Sequence, residues 1–130
     1  MRRPGRDRNE LVERAKRYLS SAAYGRVEVS AVARAVGVSP SYLARVFRVT
    51  ENVSLYRYEL NLRLARAASL LGSSDDLGRL ALDLGFSSHS HFSTAFLRWT
   101  GATPSDYRAL LRLHADGAGE PSQAVVSARQ

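Results

Sequence analysis

Two segments of this chain are variants of one pattern, and that repeat constrains the fold more than any other feature. VARAVGVSPSYLARVFRVTENVSLYRY (residues 32–58) aligns with LALDLGFSSHSHFSTAFLRWTGATPSDY (residues 80–107), with one residue inserted in the second copy. Ala33 then matches Ala81, Gly37 matches Gly85, Leu43 matches Phe92, and Phe47 matches Phe96. Asn52 matches Gly101, Ser54 matches Thr103, and Tyr58 matches Tyr107. Each copy reads as a short helix, a glycine turn with a capping serine, and a second helix. That is a helix-turn-helix, with a small alanine packed between the helices.

The rest of the chain is also helical in pattern, and no run alternates with a period of two. Asp7 and Glu10 form a capping-box pair ahead of ELVERAKRYLSSA, which puts Leu11, Ala15, Tyr18 and Leu19 on one face. YGRVE interrupts that helix. Ser39 is placed to cap the third helix, with Pro40 at its first position, and Asn52 to end it in the left-handed conformation. SLYRYELNLRLARAASLLGSS predicts a long helix of roughly 25 Å at 1.5 Å per residue. Asp75 and Asp76 read as an N-cap pair, and Gly78 falls awkwardly inside the helix that follows. The expected architecture is all-α: seven helices forming two helix-turn-helix units joined by a linker helix. The units span about 29–52 and 77–101, and the linker about 54–72, inside a domain over 10–113. Residues 1–9 read as a basic arm that either trails along phosphates or is disordered. Residues 114–130 are small, polar and unpatterned, and read as a disordered tail.

Charge narrows the function. Nineteen basic residues face twelve acidic ones, for a net charge of +7, and Lys16 is the single lysine among the nineteen. A small basic domain of this kind points to nucleic acid. An anionic membrane surface fits less well, because no basic amphipathic helix stands apart from the core pattern. No apolar run is long enough for a membrane span, and none follows the basic N-terminus as a secretory signal requires. There is no cysteine, which removes disulfides and thiolate ligands and fits a cytoplasmic, nucleoid-associated protein.

Enzymatic readings have little to stand on. His89 and His91 form an H-x-H pair, but on a helix they point ~200° apart and diverge. No Walker loop, dinucleotide fingerprint, zinc-helix motif or nucleophile elbow is present. No metal and no cofactor is expected.

The second copy carries a family signature. Its Ala81 helix, Gly85-Phe86-Ser87, Ser90-His91-Phe92, Phe96, Gly101 and the run from Thr103-Pro104-Ser105 to Tyr107-Arg108 resemble the C-terminal signature of the AraC/XylS transcription regulators. VGVSPSYLARVF resembles that family's first reader helix, and RLARAASLL (residues 63–71) its linker helix. Asn52 departs from the family's usual glycine. The resemblance implies two reader helices entering successive major grooves, ~34 Å apart.

Helical geometry nominates the readers. In the first, Leu43, Val46, Phe47 and Thr50 share one side, leaving Ser41, Arg45 and Arg48 opposite and Ala44 on the flank. Arg45 can reach a guanine O6/N7 pair, the alternative being a phosphate or solvated surface position. Ser41 permits close approach, Ala44 can meet a thymine methyl, Arg48 suits phosphate, and Tyr42 packs or reaches the backbone. In the second, Phe92, Ala95, Phe96 and Trp99 face inward, with Ser90, Thr94, Leu97 and Arg98 opposite. The resemblance places base contacts at His89, Ser90, His91 and Thr94. Arg98 and Arg108 are phosphate candidates. Ser39, Ser87 and Ser88 lie where helix N-termini can hold a phosphate or simply cap. Arg63 is expected either to touch DNA or to make a structural hydrogen bond.

The combined expectation is a sequence-specific regulator that binds double-stranded promoter DNA as a monomer. The resemblance adds a probable-activator role, contact with RNA polymerase, and kinship with the family's single-domain, MarA-like members. A DNA-binding piece of a longer regulator fits the sequence equally. The competing class is a nucleoid-type or protein-interaction module that binds nucleic acid without sequence preference.

Overall fold

The computed structural model describes residues 4–22 and 25–115. Among these, the chain forms α1 (Pro4–Ser21), α2 (Val29–Val36), α3 (Pro40–Glu51), α4 (Leu55–Leu70), a 3-10 turn (Leu71–Ser73), α5 (Leu77–Asp83), α6 (His89–Thr100) and α7 (Pro104–Leu113), and no strand. They fall into two compact units, Met1–Leu62 and Arg63–Gln130, with the boundary inside α4. Residues 1–3 of the expected arm and 116–130 of the expected tail lie outside the described residues.

In the first unit α1 packs on α2 and α3. Its core joins Leu11, Val12, Ala15 and Leu19 to Val32, Ala33, Val36, Leu43, Val46, Phe47 and Leu55. Two details of α1 differ from expectation. The helix starts at Pro4, so Asp7 lies in its first turn instead of capping it. A carboxylate there still complements the positive helix end. Val12 is fully buried while Tyr18 is 37% exposed. The aliphatic side chain fills the space beside Ala15, and the longer phenol stays partly in water.

In the second unit the C-terminal part of α4 does what α1 does in the first. Val12, Ala15 and Leu19 are buried at spacings of three and four residues, and Leu64, Ala67 and Leu71 are buried at the same spacings. The repeat therefore reaches one helix further upstream than the aligned segments. Asp76 caps α5, accepting from the Arg79 N–H at 3.0 Å. Gly78 thus falls in the first turn of α5, where its backbone freedom costs little.

The two turns share their glycine conformation and one backbone hydrogen bond. Gly37 and Gly85 sit at φ 81° and 83°. In the turns that follow, the Val38 N–H reaches the Ala33 carbonyl at 3.1 Å and the Phe86 N–H reaches Ala81 at 3.0 Å. Both conformations lie in the left-handed region, which disfavours a Cβ. Phe47 meets Tyr58 edge-on at 5.4 Å between centroids, and Phe96 meets Tyr107 at 5.3 Å. Ala33 and Ala81 are both buried where the helix pairs cross.

Candidate nucleic-acid interface

In the first unit Ser39 starts α3, its Oγ accepting from the Tyr42 N–H at 3.2 Å. Leu43, Val46 and Phe47 are buried. Ser39, Ser41, Ala44, Arg45 and Arg48 are exposed together, as helical geometry requires once the apolar stripe is committed. Thr50, expected on the inward side, is exposed instead. The inward stripe ends at Phe47 because Asn52 closes the helix two residues after Thr50. The Arg45 guanidinium lies over the Tyr42 ring, 5.6 Å from its centroid. This contact restricts a long side chain before any ligand arrives. The Tyr42–Arg45 spacing of three residues on one helix was the sequence signal for it, and the separate treatment of the two residues missed it. Arg8 and Asn9 of α1 border the groove lined by Tyr42, Arg45 and Val49, so part of the expected basic arm is helix beside the reader.

The acidic residue at the end of α3 is neutralised locally. Glu51 accepts an ion pair from Lys16 at 3.3 Å, and Lys16 also meets Glu13 at 3.1 Å and lies 5.9 Å from the Tyr58 centroid. The hydrogen bond to Glu13, opposed by partial desolvation and aided by Glu51, raises the Lys16 pKa above its ordinary value.

In the second unit Ser88 caps α6, accepting from the His91 N–H at 3.0 Å. Phe92 and Phe96 are buried, and Ala95 and Trp99 are half-buried beside them. Thr100, which periodicity did not place inside, is buried as well. Its hydroxyl donates to the Phe96 carbonyl at 3.1 Å and accepts from the Ala102 N–H at 3.0 Å, closing the helix end. His89, Ser90, His91, Thr94, Leu97 and Arg98 are exposed. Ser87 is exposed too, but its Oγ lies 3.2 Å from His91 Nδ1.

Two arginines are used by the fold. Arg63 is 1% exposed. It lies 4.5 Å from the Phe86 ring centroid and donates from Nη1 to the Gly85 carbonyl at 3.3 Å. Of the two roles open to it, the structural one is what the geometry gives. Arg108, assigned to phosphate from the sequence, is half-buried and donates from Nη1 to the Ser74 carbonyl at 3.0 Å. The guanidinium ties α7 to the segment before α5. Glu59 holds the matching position of the first copy, one residue after Tyr58. It is buried and accepts from the Val27 N–H, just before α2, at 3.0 Å. Sequence reasoning missed Glu59, because a carboxylate on a mixed polar helix carries no mark of burial.

Each unit thus presents a second helix whose outward side is mostly polar, with Val49 and Leu97 exposed as well, and carries no acidic residue up to Arg48 or Arg98. Among the described residues, no three histidine, aspartate or glutamate side chains come together as a metal site, and no helix is long and apolar enough to cross a membrane.

Comparison with known proteins agrees with this geometry. Residues 32–110 match the family model of a helix-turn-helix domain. The chain is 37% identical over 83 residues to the regulatory protein SoxS of Escherichia coli, covering 63% of this chain and 78% of that one. It is 31% identical over 100 residues to the arabinose operon regulatory protein of the same organism, covering 75% of this chain but 34% of that protein. With the Msm operon regulatory protein of Streptococcus mutans the match again spans only 35% of the relative. Among solved structures, an AraC-type regulator from Chromobacterium violaceum superposes with a TM-score of 0.73 at 28% identity, covering 85% of this chain and 96% of that one. The DNA-binding domain of AdpA, solved in complex with a target DNA, superposes with a TM-score of 0.66 at 25% identity, over 85% of this chain and 97% of that one. Family model, relatives and fold agree: the chain belongs to the AraC/XylS family of helix-turn-helix, DNA-binding transcription regulators, a family of non-enzymes.

Proposed function

We propose that this chain recognises a specific, asymmetric duplex site as a monomer, with α3 and α6 entering successive major grooves. The observation that carries the reading is the duplicated unit with two unlike readers. Arg45 on α3 and Thr94 on α6 hold matching helix positions, so the two half-sites must differ. Arg45 reads a guanine edge, Ser41 and Ala44 allow close approach, and His89, Ser90, His91 and Thr94 read the second groove. Arg48 and Arg98 bind phosphate from the last turns of α3 and α6, with the backbone N–H groups at Ser39 and Ser88 available at the opposite helix ends.

The test is selection from a random duplex library with the intact chain, followed by footprinting of the selected site. Protection of about two helical turns without internal symmetry supports the proposal. Equal affinity for selected and unrelated duplexes at moderate salt overturns it in favour of a nonspecific nucleoid-type binder, since such binding is mostly counterion release. Activation, as opposed to repression, is read by transcription in vitro with RNA polymerase on a promoter carrying the selected site.

A further inference from the structure

We infer that Ser87 is a positioning residue that holds the His91 ring in one tautomer and thereby sets which base edge α6 can read. The inference rests on α6 acting as a DNA reader. Three consecutive residues immobilise His91. Ser88 fixes its backbone through the cap at 3.0 Å. Phe86 meets its ring edge-on, with centroids 5.5 Å apart at 74°. Ser87 Oγ engages Nδ1 at 3.2 Å. Phe86 is itself held under the Arg63 guanidinium, so the ring rests on a buried support. With Nδ1 taken, Nε2 is the ring atom left to contact a ligand, on an exposed side chain.

A neutral imidazole has one donor nitrogen and one acceptor nitrogen, and the partner of the first fixes the role of the second. Two arrangements satisfy the Ser87 contact. In one the hydroxyl donates to Nδ1 and the proton sits on Nε2. In the other Nδ1–H donates to Oγ and Nε2 is a bare acceptor. His91 belongs to the first turn of α6, where the helix end carries partial positive charge. A lone pair is favoured there over an N–H. The hydroxyl therefore donates, and His91 presents Nε2–H outward.

An outward donor selects acceptors. In the major groove guanine offers O6 and N7, adenine N7 and thymine O4, whereas the cytosine N4 amine is a donor and repels it. Ser87 thus biases the second half-site against cytosine opposite His91. Replacing Ser87 with alanine frees the ring to exchange tautomers and mixes donor with acceptor.

The experiment uses the intact chain with 15N-labelled histidine, and His91→Gln assigns the His91 signals among the three histidines. In a spectrum that shows the rings neutral, wild-type His91 should have a protonated Nε2 and an unprotonated Nδ1. Ser87→Ala should give mixed tautomers, and Ser87→Thr should restore the single one. In library selections, a discrimination of about tenfold against cytosine at one position should be present in wild type and Ser87→Thr and lost in Ser87→Ala and His91→Gln. A protonated Nδ1 in wild type, or an unchanged tautomer in Ser87→Ala, overturns the positioning role. A held tautomer with selections that His91→Gln leaves unaltered overturns the reading role of His91, and the specificity claim with it.

Discussion

The Arg63 guanidinium lies 4.5 Å from the centroid of the Phe86 ring and donates to the carbonyl of Gly85 at 3.3 Å. One buried cation on α4 thus grips two successive residues of the turn that leads into α6. A planar, delocalised cation can stack and donate at once, which an ammonium does less well. The contact converts a flexible glycine turn into a fixed mount for the second reader. Arg63→Met, which keeps much of the volume, should lower the stability of the second unit by about 1–3 kcal/mol, because it leaves the Gly85 carbonyl without this donor. Arg63→Lys should recover only part. Urea unfolding followed by Trp99 fluorescence reports this unit, since Trp99 is the single tryptophan of the chain. A lysine variant as stable as wild type would remove stacking from the explanation.

Arg45 and Arg98 should fail in different ways. Arg45→Ala is expected to cost about 1–3 kcal/mol on the selected site and to relax preference at one or two base pairs. Arg98→Ala should weaken all duplexes alike and flatten the dependence of affinity on salt. Affinities measured across a salt series on selected and scrambled duplexes separate the two. A uniform loss in Arg45→Ala would make it a phosphate contact.

Glu59 anchors the segment before α2 by accepting from the Val27 N–H. Glu59→Ala should destabilise the first unit by about 1–3 kcal/mol, the cost of leaving a buried donor unsatisfied. Glu59→Gln keeps an oxygen acceptor and should recover part of the loss. Thermal unfolding followed by circular dichroism measures both.

Asn52 ends α3 at φ 58°, the only positive φ outside glycine among the described residues. Asn52→Gly should be neutral or mildly stabilising. Asn52→Val should cost roughly 1–2 kcal/mol, since a β-branched side chain clashes in that conformation. Denaturant midpoints of the two variants should move in these directions, and a neutral valine variant would contradict the cap geometry.

Lys16 gives a pH dependence of known sign. Its pKa is raised in the folded chain, chiefly by the hydrogen bond to Glu13. A cation stabilised by folding contributes fully below its unfolded pKa, ~10.4, and the contribution disappears as pH rises through the higher folded value. Lys16→Met should therefore cost a little stability at neutral pH and lose that difference in strongly alkaline solution. Paired urea titrations at pH 7 and above pH 11 check it.

Much of this was legible in the one-dimensional pattern. The pairing of Gly37 with Gly85, Leu43 with Phe92 and Phe47 with Phe96 forecast two like turns and two like helices, and the structure repeats them. The exposed sets around Arg45 and Thr94 followed from the same periodicity. Where the reading erred, the reason was contact across the fold. Tyr18 shared the apolar face of α1 until Val12 took the buried place.

The sequence by itself therefore determined the helices, their caps and the outward residues, because these depend on neighbours within a few positions along the chain. Only the tertiary structure decided which polar side chains support the fold and which stay exposed. Arg63 grips Gly85 from 22 residues away, Glu59 holds Val27 from 32, and Arg108 reaches Ser74 from 34. Burial and hydrogen-bond partners at such separations belong to the packed fold, and no local period encodes them.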